Sequence, residues 1–245
     1  MNRIAIFSDI HANLPALQAV LKDLDQRGIK ERYCLGDLVG YGTFPNEVIE
    51  LIRDKQIPTV MGNYDQGIGN SSDECGCAYK TDEEKALGKR SIAWTNLHTT
   101  EENKAFLRTL LPQIPLQLGD LNVLLAHGSP RKINEYLYID RPDATMERIL
   151  DFAEADVLVV GHTHKPYHRI LPSGRHVINE GSVGKPKDGD PRAGYVILQA
   201  EGRDLSVEFM RVDYDVEKTA KAIESSDMPD EYAEMLRTAT GEIKS

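Results

Sequence analysis

The chain has 245 residues, of which 40% are hydrophobic and 28% charged, a composition typical of a globular protein with a sizeable core. Its formal net charge of −10 argues against a nucleic-acid groove, although bound cations could still reverse the local field for a small anionic substrate. The sequence has no apolar run near the roughly 20 residues of a membrane helix and no signal-peptide pattern, and its three cysteines favour a reducing compartment. We therefore expect a cytoplasmic protein without nucleic-acid or membrane partners.

The first third of the chain alternates apolar strands with amphipathic helices. The predicted elements are a strand at 3–8, a helix from Asn13 to Gly28, a strand at 33–35, a helix from Pro45 and a strand at 59–61. Alternation of this kind favours parallel strand pairing.

A polar and glycine-rich stretch at 66–81 predicts a long loop, and helices at about 82–97 and 101–111 follow it, with Thr100 as the N-cap of the second. We interpret the whole segment of about 66–111 as a helical insertion over a functional site, because loops on a rigid scaffold usually set specificity.

The rest of the chain is rich in strands. The predicted strands cover 114–118, 123–126, 157–160, 167–171, 176–179, 195–199 and 205–212, with helices around Met146–Ala153 and at 215–225. No linker or repeat divides the chain, so we expect a single domain over residues 1–225 and a loosely held tail at 226–245. Two β-rich halves with flanking helices predict an α/β (α+β) fold, a four-layer αββα sandwich of two mixed sheets.

Five apolar runs end in polar residues, usually beside a glycine. The motifs are Asp9-Ile10-His11, Gly36-Asp37, Gly62-Asn63-Tyr64-Asp65, His127-Gly128 and Gly161-His162-Thr163-His164. Imidazole suits first-row metals, and carboxylate and amide oxygens suit harder ions such as manganese. Singly, each residue has a structural interpretation, such as a helix cap or a turn residue. Together they predict a dinuclear metal site, in which cations roughly 3.5–4 Å apart share the carboxylate of Asp37.

The same five motifs, in this order over residues 3 to about 200, resemble those of the calcineurin-like metallophosphoesterase superfamily. The resemblance implies the αββα fold and two divalent ions, Mn²⁺ or Fe²⁺/Fe³⁺ or else Zn²⁺, with a metal-activated hydroxide as the nucleophile. It also implies which residues bind them: Asp9, His11 and His164 the first metal, Asn63, His127 and His162 the second, with Asp37 bridging.

One position departs from the superfamily pattern, since Tyr64 stands where the family usually has a histidine that assists the leaving group. A phenol with a pKa of about 10 donates a proton at neutral pH less readily than an imidazolium near 6.5. We therefore expect a substrate whose leaving group needs little help. A bacterial and archaeal branch that resembles this chain also lacks the histidine, and some of its members hydrolyse diadenosine polyphosphates. Asp65 has two open interpretations, a catalytic one and a structural one.

Outside the motifs, Arg131 and Lys185 are the predicted substrate-binding residues, although a solvated basic residue is an open alternative for Arg131. Lys185 belongs to a glycine-containing loop at 181–192 that either lines the site or simply connects strands. Cys75 and Cys77 are interpreted as an ordinary pair in a mobile loop, because two thiols alone do not complete a zinc site.

The leading functional hypothesis is a dinuclear metal-dependent phosphohydrolase that cleaves a phosphoanhydride or phosphodiester of a nucleotide-like substrate, such as a dinucleoside polyphosphate. The alternatives are a phosphodiesterase for cyclic nucleotides, which would use every one of the same ligands, and a catalytically silent metal-binding scaffold. The sequence leaves the metals, the physiological substrate and the oligomeric state open, a homo-oligomer included.

Overall fold

The computed structural model describes residues 3–241, which form two mixed sheets and flanking helices. The strands are β1 (Arg3–Phe7), β2 (Glu31–Cys34), β3 (Gln113–Leu118), β4 (Leu121–Ala126), β5 (Val157–Val160), β6 (Tyr167–Ile170), β7 (His176–Asn179), β8 (Ala193–Glu201) and β9 (Asp204–Val212). The helices are α1 (Leu14–Gln26), α2 (Pro45–Asp54), α3 (Asn63–Gly69), α4 (Asp82–His98), α5 (Glu101–Leu107), α6 (Asp143–Ala153), α7 (Val216–Glu224) and α8 (Glu231–Thr238).

The strand order is β2-β1-β8-β9 in the first sheet and β3-β4-β5-β7-β6 in the second. β1 pairs with β2 in parallel, as the alternation predicted, and with β8 in antiparallel register. β4, β5 and β7 are also parallel neighbours. The parallel strands of each sheet therefore end at a common edge, which is where an α/β sheet usually carries its functional residues.

The alternation of side chains in β1 explains the layers. Ala5 and Phe7 pack in one buried cluster with helices α1 and α2, whereas Ile4 and Ile6 pack in another with Val123 of the second sheet. On the far side of that sheet a third cluster joins β4 and β5 to α6. The predicted four-layer αββα sandwich is thereby confirmed.

Helix boundaries follow local chemistry. The Asn13 side chain accepts a hydrogen bond from the Ala16 amide at 3.3 Å, and Thr100 accepts one from the Asn103 amide at 3.2 Å. Each side chain satisfies an amide that the first turn leaves without a partner, so both helices begin where the sequence predicted.

Two predictions before α4 were wrong. Residues 59–61 form isolated bridges, Cys34 with Thr59 and Val60 with Leu111, instead of a strand. Residues 63–69 form α3, where a turn and the start of a loop were expected, because its glycines disguise the helix. A Cβ at Gly67 would lie 2.5 Å from the Cys75 sulfur, so close packing explains that glycine.

The expectation of a loosely held tail was also wrong for residues 226–241. α8 buries Tyr232, Met235 and Leu236 against α7 and against Leu87 of α4. These apolar residues stand at helical spacing inside an acidic segment, whose composition hid the pattern. Residues 242–245, also assigned to the tail, lie outside the described residues. Within residues 3–241, no helix is both long and apolar enough to cross a membrane.

Candidate metal centre

The seven predicted metal ligands meet at one edge of the two sheets. They lie just after β1, β2, β4 and β5 and at the start of α3, and none is more than 4% exposed. The residues are Asp9, His11, Asp37, Asn63, His127, His162 and His164. The strand ends that the sequence singled out are therefore neighbours in space.

The ligand atoms form two groups. In the first, Asp9 Oδ1 lies 3.1 Å from His164 Nε2 and 3.7 Å from His11 Nε2. The second contains Asp37, His127 and His162, and Asp37 Oδ2 lies 3.5 Å from His127 Nε2.

Two contacts extend these groups. Asp37 Oδ2 is also 3.7 Å from His11 Nε2, so this oxygen faces both groups. The amide oxygen of Asn63 lies 3.0 Å from His127 Nε2 and adds a fourth donor to the second group.

Backbone carbonyls orient three of the imidazoles. The Nδ1 atoms of His11, His127 and His164 lie 3.0, 2.8 and 2.5 Å from the carbonyl oxygens of Val39, Leu35 and Lys185, respectively. A carbonyl can only accept, so each Nδ1 carries a proton. The Nε2 atoms of His11 and His164 then present lone pairs to the centre, and that of His127 would do so once its second proton is lost. This arrangement is the usual support for a histidine that binds a metal.

The donor set fits cations for a physical reason. The lone pairs of His11 Nε2 and His164 Nε2 face each other at 3.2 Å, which is repulsive unless a positive charge lies near both. Asp9 Oδ1 and His162 Nε2 are buried and have no hydrogen-bond partner within residues 3–241. Leaving such groups unsatisfied costs about 1–3 kcal/mol each, so metal ions would relieve several unfavourable contacts together.

Ionisation within the site also suits cations. Burial and the positive charge of Lys187 lower the pKa of His164 to about 3, so its imidazole is neutral. Burial would lower the pKa of His127 as well, but the carboxylate of Asp37 raises it to about 10. A cation bound there would have to displace that proton.

The backbone at the ligands is strained. Asp9, His11, Asp37, His162 and His164 all have positive φ values, between 48° and 65°. Left-handed backbone at residues other than glycine costs of order 1–3 kcal/mol and persists where function requires it. Sequence reasoning missed this feature, because only the glycines beside the ligands indicated sharp turns.

Asp65 positions the loop that carries Asp37. Its Oδ2 accepts hydrogen bonds from the Asp37 amide at 2.8 Å and the Gly62 amide at 2.9 Å, and its Oδ1 accepts one from Leu38 at 2.8 Å. Burial and the nearby charge of Asp37 raise the pKa of Asp65 to about 7 despite these donors. The close approach also explains Gly62, since a Cβ there would lie 2.2 Å from the Asp37 nitrogen. These contacts favour the structural interpretation of Asp65.

Two residues behind Asp9 were missed by sequence reasoning. The Ser8 hydroxyl lies 2.5 Å from Asp9 Oδ2 and also contacts the buried carboxyl of Glu180, and the His162 amide donates to the same Asp9 oxygen at 3.0 Å. Asp9 Oδ2 is therefore occupied, which leaves Oδ1 for a cation. Glu180 directly follows β7 and precedes Gly181, so its place at a strand end beside a glycine was a usable signal.

Tyr64 lies beside the first group with its ring 5.5 Å from that of His11 and 4.8 Å from that of Tyr41. Its hydroxyl is buried without a hydrogen-bond partner among the described residues. Burial raises the pKa of Tyr64 well above its usual value, so the phenol is an even weaker acid than the sequence suggested.

A cavity of about 530 Å³ opens over the metal centre. Lys185, a predicted substrate-binding residue, lines it together with Lys187. Six of the ten tyrosines line it as well: Tyr41, Tyr64, Tyr79, Tyr136, Tyr138 and Tyr232. Sequence reasoning missed this role, although the excess of tyrosine over five phenylalanines and one tryptophan was a usable signal.

The prediction for Arg131 is not supported by its position. Arg131 is exposed, lies outside the residues that line the cavity and pairs with Glu135, whose carboxylate also accepts from Ser129 at 2.6 Å. This local pairing occupies the guanidinium, and the sequence pattern could not reveal it.

The two cysteines near α3 are reduced and differ in environment. Cys75 is buried, and its carbonyl accepts from the Asn63 amide nitrogen at 2.7 Å, which turns the Asn63 oxygen towards His127. Cys77 lines the cavity, with its sulfur 3.5 Å from the same nitrogen. Cys75 thus orients the candidate ligand Asn63, and its segment is packed against the metal centre.

Comparisons with known proteins agree with this geometry. Residues 2–203 match the model of the calcineurin-like phosphoesterase superfamily domain. The chain is 37% identical over 250 residues to an uncharacterized protein of Methanocaldococcus jannaschii, covering 95% of this chain and 96% of the relative. Among solved structures, it is similar to a metallophosphoesterase from Sphaerobacter thermophilus, with 31% identity, 97% and 99% coverage and a TM-score of 0.76. A hypothetical protein from Pyrococcus horikoshii is 26% identical, with 96% and 98% coverage and a TM-score of 0.81.

Proposed function

This chain belongs to the calcineurin-like phosphoesterase superfamily, and we propose that it is a dinuclear metal-dependent phosphohydrolase acting on a phosphoanhydride or phosphodiester of a nucleotide-like substrate. The observation that carries the proposal is the pair of buried donor groups that share Asp37, with imidazole lone pairs facing each other. Such a site is costly to fold without cations, so a purely structural role for it is a poor alternative.

Asp9, His11 and His164 would hold one divalent cation, and Asn63, His127 and His162 the other. Asp37 would bridge them. When bound, the cations would supply a nucleophile by lowering the pKa of water and would neutralise charge on the phosphoryl oxygens. Manganese is our first candidate, because the set mixes imidazole with carboxylate and amide oxygens.

The properties of Tyr64 indicate which leaving groups the site can accept. Its hydroxyl is buried, has a raised pKa and is a poor proton donor. A nucleoside phosphate that leaves an anhydride bond is stable as an anion and needs no donor, whereas a sugar alkoxide does. Tyr64 therefore supports activated esters and anhydrides over simple alkyl monoesters.

The cavity walls support a nucleotide-sized molecule. Tyr136 and Tyr138 have nearly parallel rings with centroids 5.8 Å apart, and Tyr138 is 44% exposed at the rim. Aromatic rings of this kind offer stacking surfaces to a base. Cys77 and Tyr79, within the proposed insertion at about 66–111, line the same space, which supports a role of that segment in specificity.

The test compares diadenosine tetraphosphate, bis(p-nitrophenyl) phosphate and glycerol phosphate, with added manganese and with or without a chelator. We expect chelator-sensitive cleavage of the first two and little of the third. Asp37→Asn is the control for the centre and should abolish cleavage, while the exposed Asp73→Asn should not change it. No cleavage by folded, metal-loaded protein, or cleavage that survives in Asp37→Asn, would contradict the proposal.

A further inference from the structure

The end of the described chain forms part of the cavity wall. The family domain covers residues 2–203, yet Tyr232 and Met235 of α8 and the following residues 239–241 line the same cavity as His11 and Asp37. We name residues 231–241 the C-terminal wall. A segment outside the family domain therefore shapes the space that a substrate must enter.

The C-terminal wall is firmly attached. Tyr232, Met235 and Leu236 are buried against α7 and α4, and Arg237 pairs with Glu217 at 2.7 Å. After α8, the Ala239 carbonyl accepts from the Gly189 amide at 3.0 Å. This bond ties the wall to the loop that carries Lys185 and Lys187.

Lys185 places a buried amine beside this wall. It is 5% exposed and lines the cavity, and its ammonium lies 4.6 Å from the ring centroid of Tyr41 and 5.8 Å from that of Tyr232. Within residues 3–241 it forms no ion pair. Burial and the nearby charge of Lys187 lower the pKa of Lys185 well below its usual value, and the aromatic faces offset this only modestly. An anion bound beside the amine would stabilise its protonated form, so the geometry leaves this position open to one.

The surroundings of Lys185 extend the positive character. Lys187 lies beside it on the wall, and a Cβ at Gly241 would be 3.0 Å from the Lys187 side chain. Apart from candidate metal ligands, the charged residues that line the cavity are four lysines and one glutamate. This local excess contrasts with the net charge of −10 of the whole chain.

Lys185 is also directly connected to the metal centre, because its own carbonyl accepts the Nδ1 proton of His164. Its side-chain nitrogen lies over the ring of Tyr41, whose centroid is 4.8 Å from that of His11, so an anion held there would lie near a phosphate at the first donor group. Two adjacent anion positions match two consecutive phosphates of a polyphosphate. A substrate with a single phosphate would leave the second position empty.

We propose that Lys185, Lys187 and the C-terminal wall form a second anion subsite, which holds the phosphate next to the one that is attacked. This rests on the proposed function and deepens it: the substrate class becomes small molecules with at least two linked phosphates.

Binding of inorganic pyrophosphate and orthophosphate to the manganese-loaded protein tests the subsite without turnover. We expect pyrophosphate to bind at least tenfold more tightly in the unmodified protein, since a charged hydrogen bond is typically worth that factor. Lys185→Met should reduce this ratio to within about threefold of unity, and Lys22→Met on exposed α1 should leave it unchanged. A ratio that is near unity in the unmodified protein, or that survives in Lys185→Met, would overturn the proposal.

Two substitutions of Tyr232 form a matched pair that tests the C-terminal wall. Tyr232→Phe keeps the ring against Lys185 and should preserve the preference for pyrophosphate, whereas Tyr232→Leu removes the ring and should reduce it. Thermal unfolding checks that both variants are folded. An equal change in the pyrophosphate preference of the two variants would contradict the role of the ring. A preference for pyrophosphate without cleavage of any test substrate would support the subsite and contradict the proposed hydrolase. Cleavage without that preference would support the hydrolase and contradict the subsite.

Discussion

Asp65→Asn is the most informative single substitution at the centre, because it changes one atom of a carboxylate that three amides share. In the native structure, Oδ2 accepts from the amides of Asp37 and Gly62, and Oδ1 accepts from that of Leu38. An asparagine has one oxygen, and its NH₂ group must face at least one of these amides as a second donor.

The better orientation keeps the oxygen towards Asp37 and Gly62 and leaves the Leu38 amide without an acceptor. A buried amide without an acceptor costs about 1–3 kcal/mol. Above the Asp65 pKa of about 7, the two surviving bonds also lose the extra strength that a charged acceptor gives. We therefore expect a loss of about 2–4 kcal/mol in the free energy of unfolding. For a chain of this length, that corresponds to a fall in Tm of about 5–15 °C.

The same change should loosen the turn that aims Asp37 between the two donor groups. Loss of an outer partner of a ligand typically weakens metal binding about 10–100-fold. The assay is urea unfolding and manganese titration of Asp65→Asn and of Asp73→Asn, an exposed aspartate nearby whose substitution should change stability by less than about 0.5 kcal/mol. Unchanged stability and manganese affinity in Asp65→Asn would refute the argument, since a neutral group would then serve the three amides equally well.

Three further predictions concern the site. Tyr64→His should raise turnover of glycerol phosphate by about 10²–10⁴-fold if the missing proton donor is what limits it, and unchanged turnover would remove that explanation. Arg131→Ala should leave the KM for diadenosine tetraphosphate within about twofold, because an exposed ion pair contributes little; a large rise would restore its predicted role. In metal-free protein, Asp37 raises the pKa of His127 to about 10, so the stability from this pair is complete below the unfolded pKa of about 6.5 and declines as the pH approaches 10. Chemical denaturation from pH 6 to 10 should show that decline, and a flat profile would contradict it.

The sequence predicted the candidate centre well because its ligands follow buried strands. A strand such as β5 is apolar on both faces, so a histidine at its end is conspicuous. Parallel pairing of β1 with β2 and of β4 with β5 then brings Asp9, Asp37, His127 and His162 to one edge without any further signal. The fold and the meeting of the candidate ligands were predictable together because the same strand ends define both.

What the sequence did not reveal depends on contacts between distant segments. α3 forms despite poor helix propensity because Gly67 packs against Cys75. The acidic stretch around α8 looked solvated, yet its apolar stripe is buried once Leu87 of α4 supplies the facing surface. Arg131, still a predicted substrate-binding residue, pairs with Glu135 four residues later, a contact that its motif did not indicate.

These misses share a physical cause that bears on specificity. Ligands such as Asp9 depend on strand geometry, which local sequence patterns encode. The cavity walls depend instead on packing between the α3–α4 region and the C-terminal wall, which local patterns do not encode. Lys185 illustrates the difference: its motif only suggested a glycine-containing loop, and the burial between Tyr41 and Tyr232 appears once the chain is folded. Relatives that match the family domain over residues 2–203 can therefore share the metal chemistry and differ in substrate, because part of the wall lies beyond that domain. Exchanging the C-terminal wall between such relatives should change KM for polyphosphates more than kcat for bis(p-nitrophenyl) phosphate, and equal changes in both would place specificity elsewhere.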